Sequence, residues 1–140
     1  MPRTLGDLAA LRTLVSAEPD MPILDACKRM CQERIGAIVV MRGENLVGIV
    51  SERDILRRVI CRLREVGETN VGDVMTPGPI TGEEGESLVE GLKKMRAHDV
   101  RHLPVMRDGV PVGIVAERDM PPASLLALET PERRVERLRS

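Results

Sequence analysis

The stretch Val47-Gly48-Ile49-Val50-Ser51-Glu52-Arg53-Asp54 returns 65 residues later as Val112-Gly113-Ile114-Val115-Ala116-Glu117-Arg118-Asp119, with one change, Ser51 to Ala116. Working outward, Val40-Met41-Arg42 returns as Val105-Met106-Arg107, and Lys28-Arg29-Met30 as Lys93-Lys94-Met95, all at the same shift. Between residues 26–54 and 91–119, 12 of 29 positions are identical without a gap. Self-similarity at one fixed shift is the mark of an internal repeat, so the chain is two copies of one unit.

Each copy predicts the element order β-α-β-β-α. A short extended piece comes first, around Thr13–Ser16 and Pro79–Thr81. A helix follows, with Pro22 suited to its opening position and Ile23, Ala26, Cys27 and Met30 at helical spacing. Leu88, Leu92 and Met95 take that part in the second copy. Two strands come next, over 36–41 and 46–51 and again over 101–106 and 110–115. Asp108-Gly109 between the last two is a strong hairpin signal. A closing helix starts near Glu52 with Ile55, Leu56, Val59, Ile60 and Leu63 as its apolar stripe. The expected fold class is therefore mixed α/β (α+β), with repeats over 8–66 and 71–128 and a helical tail over 129–140. Val71–Pro77 in the connection is expected to hold a short helical turn. A unit of about 50 residues buries too little surface to be stable alone. Two copies packed sheet to sheet, sharing one core, would remedy that.

Composition narrows the functional classes. The chain is 42% apolar and 31% charged, as a folded body requires. The longest apolar run, Ile35–Met41, is too short to span a bilayer, and the first residues lack a signal-peptide layout; the expected location is cytoplasmic. A net charge of −1 gives no general attraction to nucleic acid or membrane. The absence of Phe, Tyr and Trp, on which unpaired bases usually stack, weakens a nucleic-acid role further. The three cysteines predict buried, reduced thiols, since a free Cys packs as a small hydrophobe. No nucleophile–base pair, metal cluster or P-loop is visible, so no enzyme is expected.

Gly48-Ile49-Val50-Ser51-Glu52-Arg53-Asp54 fits the pattern Gly, hydrophobic, any residue, Ser or Thr, two residues, Asp. Together with Val74-Met75-Thr76-Pro77 and Arg101-His102-Leu103-Pro104-Val105 it resembles the tandem cystathionine-β-synthase (CBS) domain pair, or Bateman module. The resemblance covers roughly residues 8–128. It implies a pseudo-two-fold pair of repeats, a homodimer, and a regulatory adenosine nucleotide (AMP, ADP, ATP, NAD-type or S-adenosylmethionine) held between the repeats. It implies no catalytic cofactor and no metal. The residues suit such a ligand. Ser51 lies where a strand turns into a helix, where free N–H groups, the helix dipole and a hydroxyl can meet a phosphate. Asp54 can accept from two ribose hydroxyls, and Gly48 allows close backbone approach. By resemblance the adenine walls are Thr13, Leu14, Val15, Gly36, Ala37 and Ile38 in one half. In the other they are Pro79, Ile80, Thr81, Arg101, His102, Leu103 and Pro104.

Plainer readings stand beside these. Ser51-x-x-Asp54 is also close to a capping box, and the two roles are compatible. His102 is either a satisfied structural histidine or a pocket wall. Arg53 and Arg118 either reach phosphates or are solvated surface arginines. The second copy departs from the pattern, because Ala116 has no hydroxyl and Met120-Pro121-Pro122 interrupts the helix that would follow. Asp119 then becomes a simple cap for a helix over Ala123–Leu128. Two unequal sites are expected, or one competent site at Ser51 and Asp54. The leading functional reading is a nucleotide sensor that modulates a separate partner. A dimeric interaction module with decayed pockets is the alternative, and nucleic-acid binding is disfavoured by the charge balance.

Overall fold

The computed structural model describes residues 1–122, so the helix expected over Ala123–Leu128 and the tail 129–140 lie outside the described residues. Two sheets carry the fold. The first has the order β1-β2-β3-β4, from β1 (Ser16–Ala17), β2 (Ala37–Arg42), β3 (Asn45–Ser51) and β4 (Thr76–Pro77). The second has the order β5-β6-β7, from β5 (Gly82–Glu83), β6 (His102–Arg107) and β7 (Val110–Ala116). In each sheet a parallel pair is followed by an antiparallel hairpin. The repeat extends to irregularities, because the register slips between Val40 and Met41 and again between Val105 and Met106. The Asp108-Gly109 turn has positive φ at both residues, 50° and 79°, as the right-handed strand twist favours.

The helices are α1 (Leu5–Ala9), α2 (Ile23–Glu33), α3 (Glu52–Ile55), α4 (Val71–Val74) and α5 (Leu88–Ala97). Pro22 and Ser87 occupy equivalent positions just ahead of α2 and α5. Their buried faces, Ile23, Ala26 and Met30 in α2 and Leu88, Leu92 and Met95 in α5, are the residues whose helical spacing predicts them.

Reciprocal exchange joins the halves. Leu5-Gly6-Asp7-Leu8 and Val71-Gly72-Asp73-Val74 are counterparts, each opened by a capping residue, Thr4 or Asn70. Yet α1 docks on the second sheet and α4 on the first. Leu5 N–H donates to the Glu86 carbonyl at 2.9 Å, and Val71 N–H to that of Met21 at 2.8 Å. Gly6 N–H reaches Glu84 and Gly72 N–H reaches Pro19 in the same way. The apolar residues accordingly form two clusters. One gathers Leu5, Leu8 and Ala9 with Leu92, Met95, Leu103 and Val115. The other gathers Val71 and Val74 with Ile23, Met30, Ile38 and Val50. The expectation of one shared core is thereby corrected. There are two cores, each completed by the opening helix of the other repeat, and β7 touches β2 and β3 where the sheets meet.

Three local expectations also change. The short strands fall later than expected, at Ser16–Ala17 and Gly82–Glu83, leaving Thr13–Val15 and Pro79–Thr81 as the approaches to them. After α3 the helix widens into a π-helical turn over Leu56–Ile60, where Cys61 and Arg64 N–H groups reach carbonyls five residues back. Val59 is buried in the first core with Ile55 partly buried against it, while Leu56 and Ile60 lie outside it. They are 57% and 55% exposed, and Leu63 is 89% exposed, so the expected stripe is only half buried. The thiols differ too, because Cys27 is half-buried while Cys31 on α2 and Cys61 in the turn after the π-helical segment are exposed; all three are free. Among the described residues no helix is long and apolar enough to cross a membrane, and no group of His, Cys, Asp and Glu is placed to hold a metal.

Candidate functional site

Ser51 ends β3, and its extended backbone (φ −111°, ψ 167°) turns the chain into α3. The Asp54 N–H donates to Ser51 Oγ at 3.2 Å, while Ser51 N–H and Oγ donate to Asp54 Oδ2 at 2.8 and 3.0 Å. The capping box is therefore complete. Thr76, arriving from the opening segment of the second repeat, donates its hydroxyl to Asp54 Oδ1 at 3.0 Å. Arg58, one turn further on, anchors its guanidinium on the Val74 and Met75 carbonyls at 3.0 and 2.7 Å, with Nη1 3.9 Å from Asp54 Oδ1. Asp54 is thus a buried carboxylate, 9% exposed, whose charge is met by hydroxyls, an amide and a cation.

A cleft of about 500 Å³ opens on this carboxylate. Its walls are drawn from both repeats. Ile49, Ser51, Arg53, Asp54, Arg57 and Arg58 come from the first, and Pro79, Ile80, Val100, Arg101 and His102 from the second side. Arg53 is held by Asp99, whose carbonyl accepts from Nη1 at 3.0 Å. Arg57 and Arg101 are exposed. One cavity therefore combines apolar side chains, a buried acceptor and four guanidinium groups.

The pseudo-symmetric cleft adjoins an opening of about 520 Å³, with which it shares Gly36, His102, Ala116 and Arg118, and itself encloses about 40 Å³. Thr13, Leu14, Val15, Gly36 and Ala37 line it together with Ala116, Arg118 and Asp119. Ala116 offers no side-chain cap, and the chain makes a single short helical turn, Glu117–Asp119, before Met120 leaves it. Asp119 instead accepts from Arg12 Nη2 at 3.5 Å.

His102 lines both clefts. Gly36 makes room for it, since a Cβ there would lie 3.0 Å from Nε2 of His102 and 3.2 Å from the Glu52 carboxylate. Burial pushes the imidazole below its ordinary pKa, and Arg118 pushes the same way; Glu52 and Asp119 oppose them.

The expected site residues divide accordingly. Ser51, Arg53, Asp54, Pro79, Ile80, Arg101 and His102 meet in the large cleft. Thr13, Leu14, Val15, Gly36, Ala37, Arg118 and Asp119 meet in the small one. Ile38 and Leu103 are sealed in the two cores at 0% exposure, and Pro104 is buried, so none of the three lines a cleft. Thr81 lines neither cleft, its carbonyl accepting from Lys94 at 3.2 Å. Gly48 gives its close approach to the protein itself, because a Cβ there would stand 2.5 Å from Met75 Sδ and 3.0 Å from the Thr76 carbonyl. Sequence reasoning passed over Arg57, Arg58, Thr76 and Arg12. The i, i+4 spacing of Asp54 and Arg58 was a usable signal. Thr76 and Arg12 had none, since both reach their partners across the repeat exchange.

Comparison with known proteins agrees with this architecture. A model of the CBS domain matches residues 5–60 and 71–120. The Bacillus subtilis CBS domain-containing protein YhcV is 33% identical over 107 residues, 76% of this chain and 76% of that protein. The Arabidopsis thaliana mitochondrial CBS domain-containing protein CBSX3 is 37% identical over 106 residues, 72% of this chain and 52% of that protein. The chain spans about half or less of the length of the first curated relatives it matches. Among solved structures, a protein with CBS domains from Burkholderia ambifaria superposes with a TM-score of 0.79 at 30% identity, covering 91% of this chain and 96% of that one. A CBS domain protein of Pyrobaculum aerophilum, complexed with AMP, gives 0.79 at 27% identity, covering 89% and 97%. With both repeats matched and in register, the chain belongs to the CBS-domain family, as a tandem pair of CBS repeats.

Proposed function

We propose that the chain is a non-enzymatic sensor holding one adenosine nucleotide in the large cleft and relaying its occupancy to a separate partner protein. The observation that carries this is the make-up of that cleft. Ile49, Ile80 and Val100 suit a base, the Asp54 carboxylate suits ribose hydroxyls, and Arg53, Arg57 and Arg101 suit phosphates. The ribose would take over the contacts that Ser51 and Thr76 now make, so binding exchanges internal hydrogen bonds for ligand ones. The AMP bound to the Pyrobaculum aerophilum protein supports the ligand class. Three free cysteines fit a reducing compartment such as the cytoplasm.

The reading also proposes a homodimer. Leu56 and Ile60 are exposed and line an open groove with Cys31 and Met30, and contiguous apolar surface of that kind marks an interaction site. Relay to a partner requires that the nucleotide bind two states of the assembly with different affinity.

Calorimetric titration with AMP, ADP and ATP tests the site. Binding is expected for the wild type, with at least a tenfold loss in Asp54→Ala and a smaller loss in Arg57→Ala. Equal affinity in Asp54→Ala, or no binding of any of the three by the wild type, would remove the assignment. Lacking Trp and Tyr, the protein is nearly transparent at 280 nm, so nucleotide carried through purification stands out near 260 nm.

A further inference from the structure

The small cleft is the counterpart of the large one, wall for wall. Asp119 stands for Asp54, Ala116 for Ser51, Val15 for Ile80, Leu14 for Pro79 and Gly36 for Arg101, each lining its own cavity. Two things differ. The small cleft holds about 40 Å³, beside an opening of about 520 Å³ that shares Gly36, His102, Ala116 and Arg118 with it, against about 500 Å³ at Asp54. The cation on its carboxylate comes from a separate loop at 3.5 Å, where Asp54 has Arg58, four residues on, at 3.9 Å.

That cation is Arg12. The approach to β1 carries it where the approach to β5 carries Pro77 and Gly78, neither of which has a side chain able to reach a carboxylate. Its Nη2 lies 3.5 Å from Asp119 Oδ1, the acceptor equivalent to the one Thr76 reaches on Asp54. Asp119 is also missing the serine that engages the other oxygen of Asp54, so Arg12 is its side-chain partner among the described residues. The pair is exposed at 51% and 29%, and exposed pairs are weak and screened by salt.

We infer that Arg12 is a built-in competitor for the second nucleotide position, its guanidinium taking the ribose-accepting carboxylate Asp119 and keeping the chain at one nucleotide per pair of repeats. The inference rests on the nucleotide reading of the large cleft and deepens it by setting stoichiometry. It makes Arg12 a specificity-determining residue, because removing a side chain at an exposed loop position would restore a site. The contact is openable.

The test is calorimetry with AMP on the whole chain, read as stoichiometry. Wild type is expected to bind one AMP per chain. Arg12→Ala is expected to bind two, the second at least tenfold tighter than any second event in the wild type. Arg12→Ala/Asp119→Ala is expected to return to one, which separates a restored site from nonspecific binding. Arg12→Ala touches an exposed residue, and Arg12→Gln, which keeps length and loses charge, repeats the test if the alanine variant folds poorly. If the wild type binds one AMP and both Arg12 variants also bind one, the competitor role is overturned and the large-cleft reading stands. Two equal sites in the wild type overturn it as well. If no variant binds AMP, the large-cleft reading fails and this inference falls with it.

Discussion

At the scale of single residues, His102 concentrates the consequences of the fold. Its counterpart in the first repeat is Ala37, so an imidazole stands on one side of the pseudo-axis and a methyl on the other. Glu52, Asp119, Arg53 and Arg118 all act on it, and burial with Arg118 prevails, holding the ring below the ordinary histidine range. A depressed histidine is neutral when folded and protonates more readily when unfolded. Its contribution is therefore present above the ordinary value near 6.5 and lost as pH falls through the lowered one. Denaturant midpoints measured across that acid window should fall more steeply for the wild type than for His102→Gln; parallel curves would show that His102 is not the group responsible. Residue identity at the site was partly legible. Ser51, Asp54, Arg101 and His102 follow from motif and repeat. Thr76 and Arg12 do not, because sequence spacing says nothing about a side chain arriving from another element.

Element by element, the β-α-β-β-α order and its hairpin turns were readable from period and turn chemistry. The exchange of α1 and α4 was not. Each is a single turn of helix, too short for amphipathic periodicity to show which core it joins. Its consequence is measurable. Leu5 is fully buried and presses on Gly82, Gly91 and Leu103 of the other repeat, with its methyls 2.5 Å from where a Cβ would sit on either glycine. Leu5→Ala should cost about 2–5 kcal/mol, as a buried leucine does, despite its place near the chain terminus. A shift in thermal or denaturant midpoint corresponding to less than about 0.5 kcal/mol, the range of ordinary surface changes, would show that α1 does not complete the second core. The π-helical turn was equally hidden, since Ile55, Leu56, Val59 and Ile60 satisfy an α-helical stripe as well as they satisfy the observed one.

For the whole molecule, the two repeats form a matched frame around unmatched cavities. Reciprocal capping makes the halves interdependent, so the repeats are expected to unfold together rather than one at a time. Leu56 and Ile60 are exposed on one groove, the surface that the proposed homodimer would cover. Sedimentation velocity is expected to give a dimer for the wild type at micromolar concentration and a monomer for Leu56→Glu/Ile60→Glu. A wild-type monomer, or a dimer untouched by the double substitution, would place the assembly surface elsewhere. The central claim is that the large cleft between the repeats holds an adenosine nucleotide. Its most direct test is a crystal structure of the protein grown with AMP. The account predicts ribose density within hydrogen-bonding distance of Asp54 and phosphate density beside Arg53, Arg57 or Arg101. A large cleft free of nucleotide at millimolar AMP, or AMP seated only at Asp119, would contradict it.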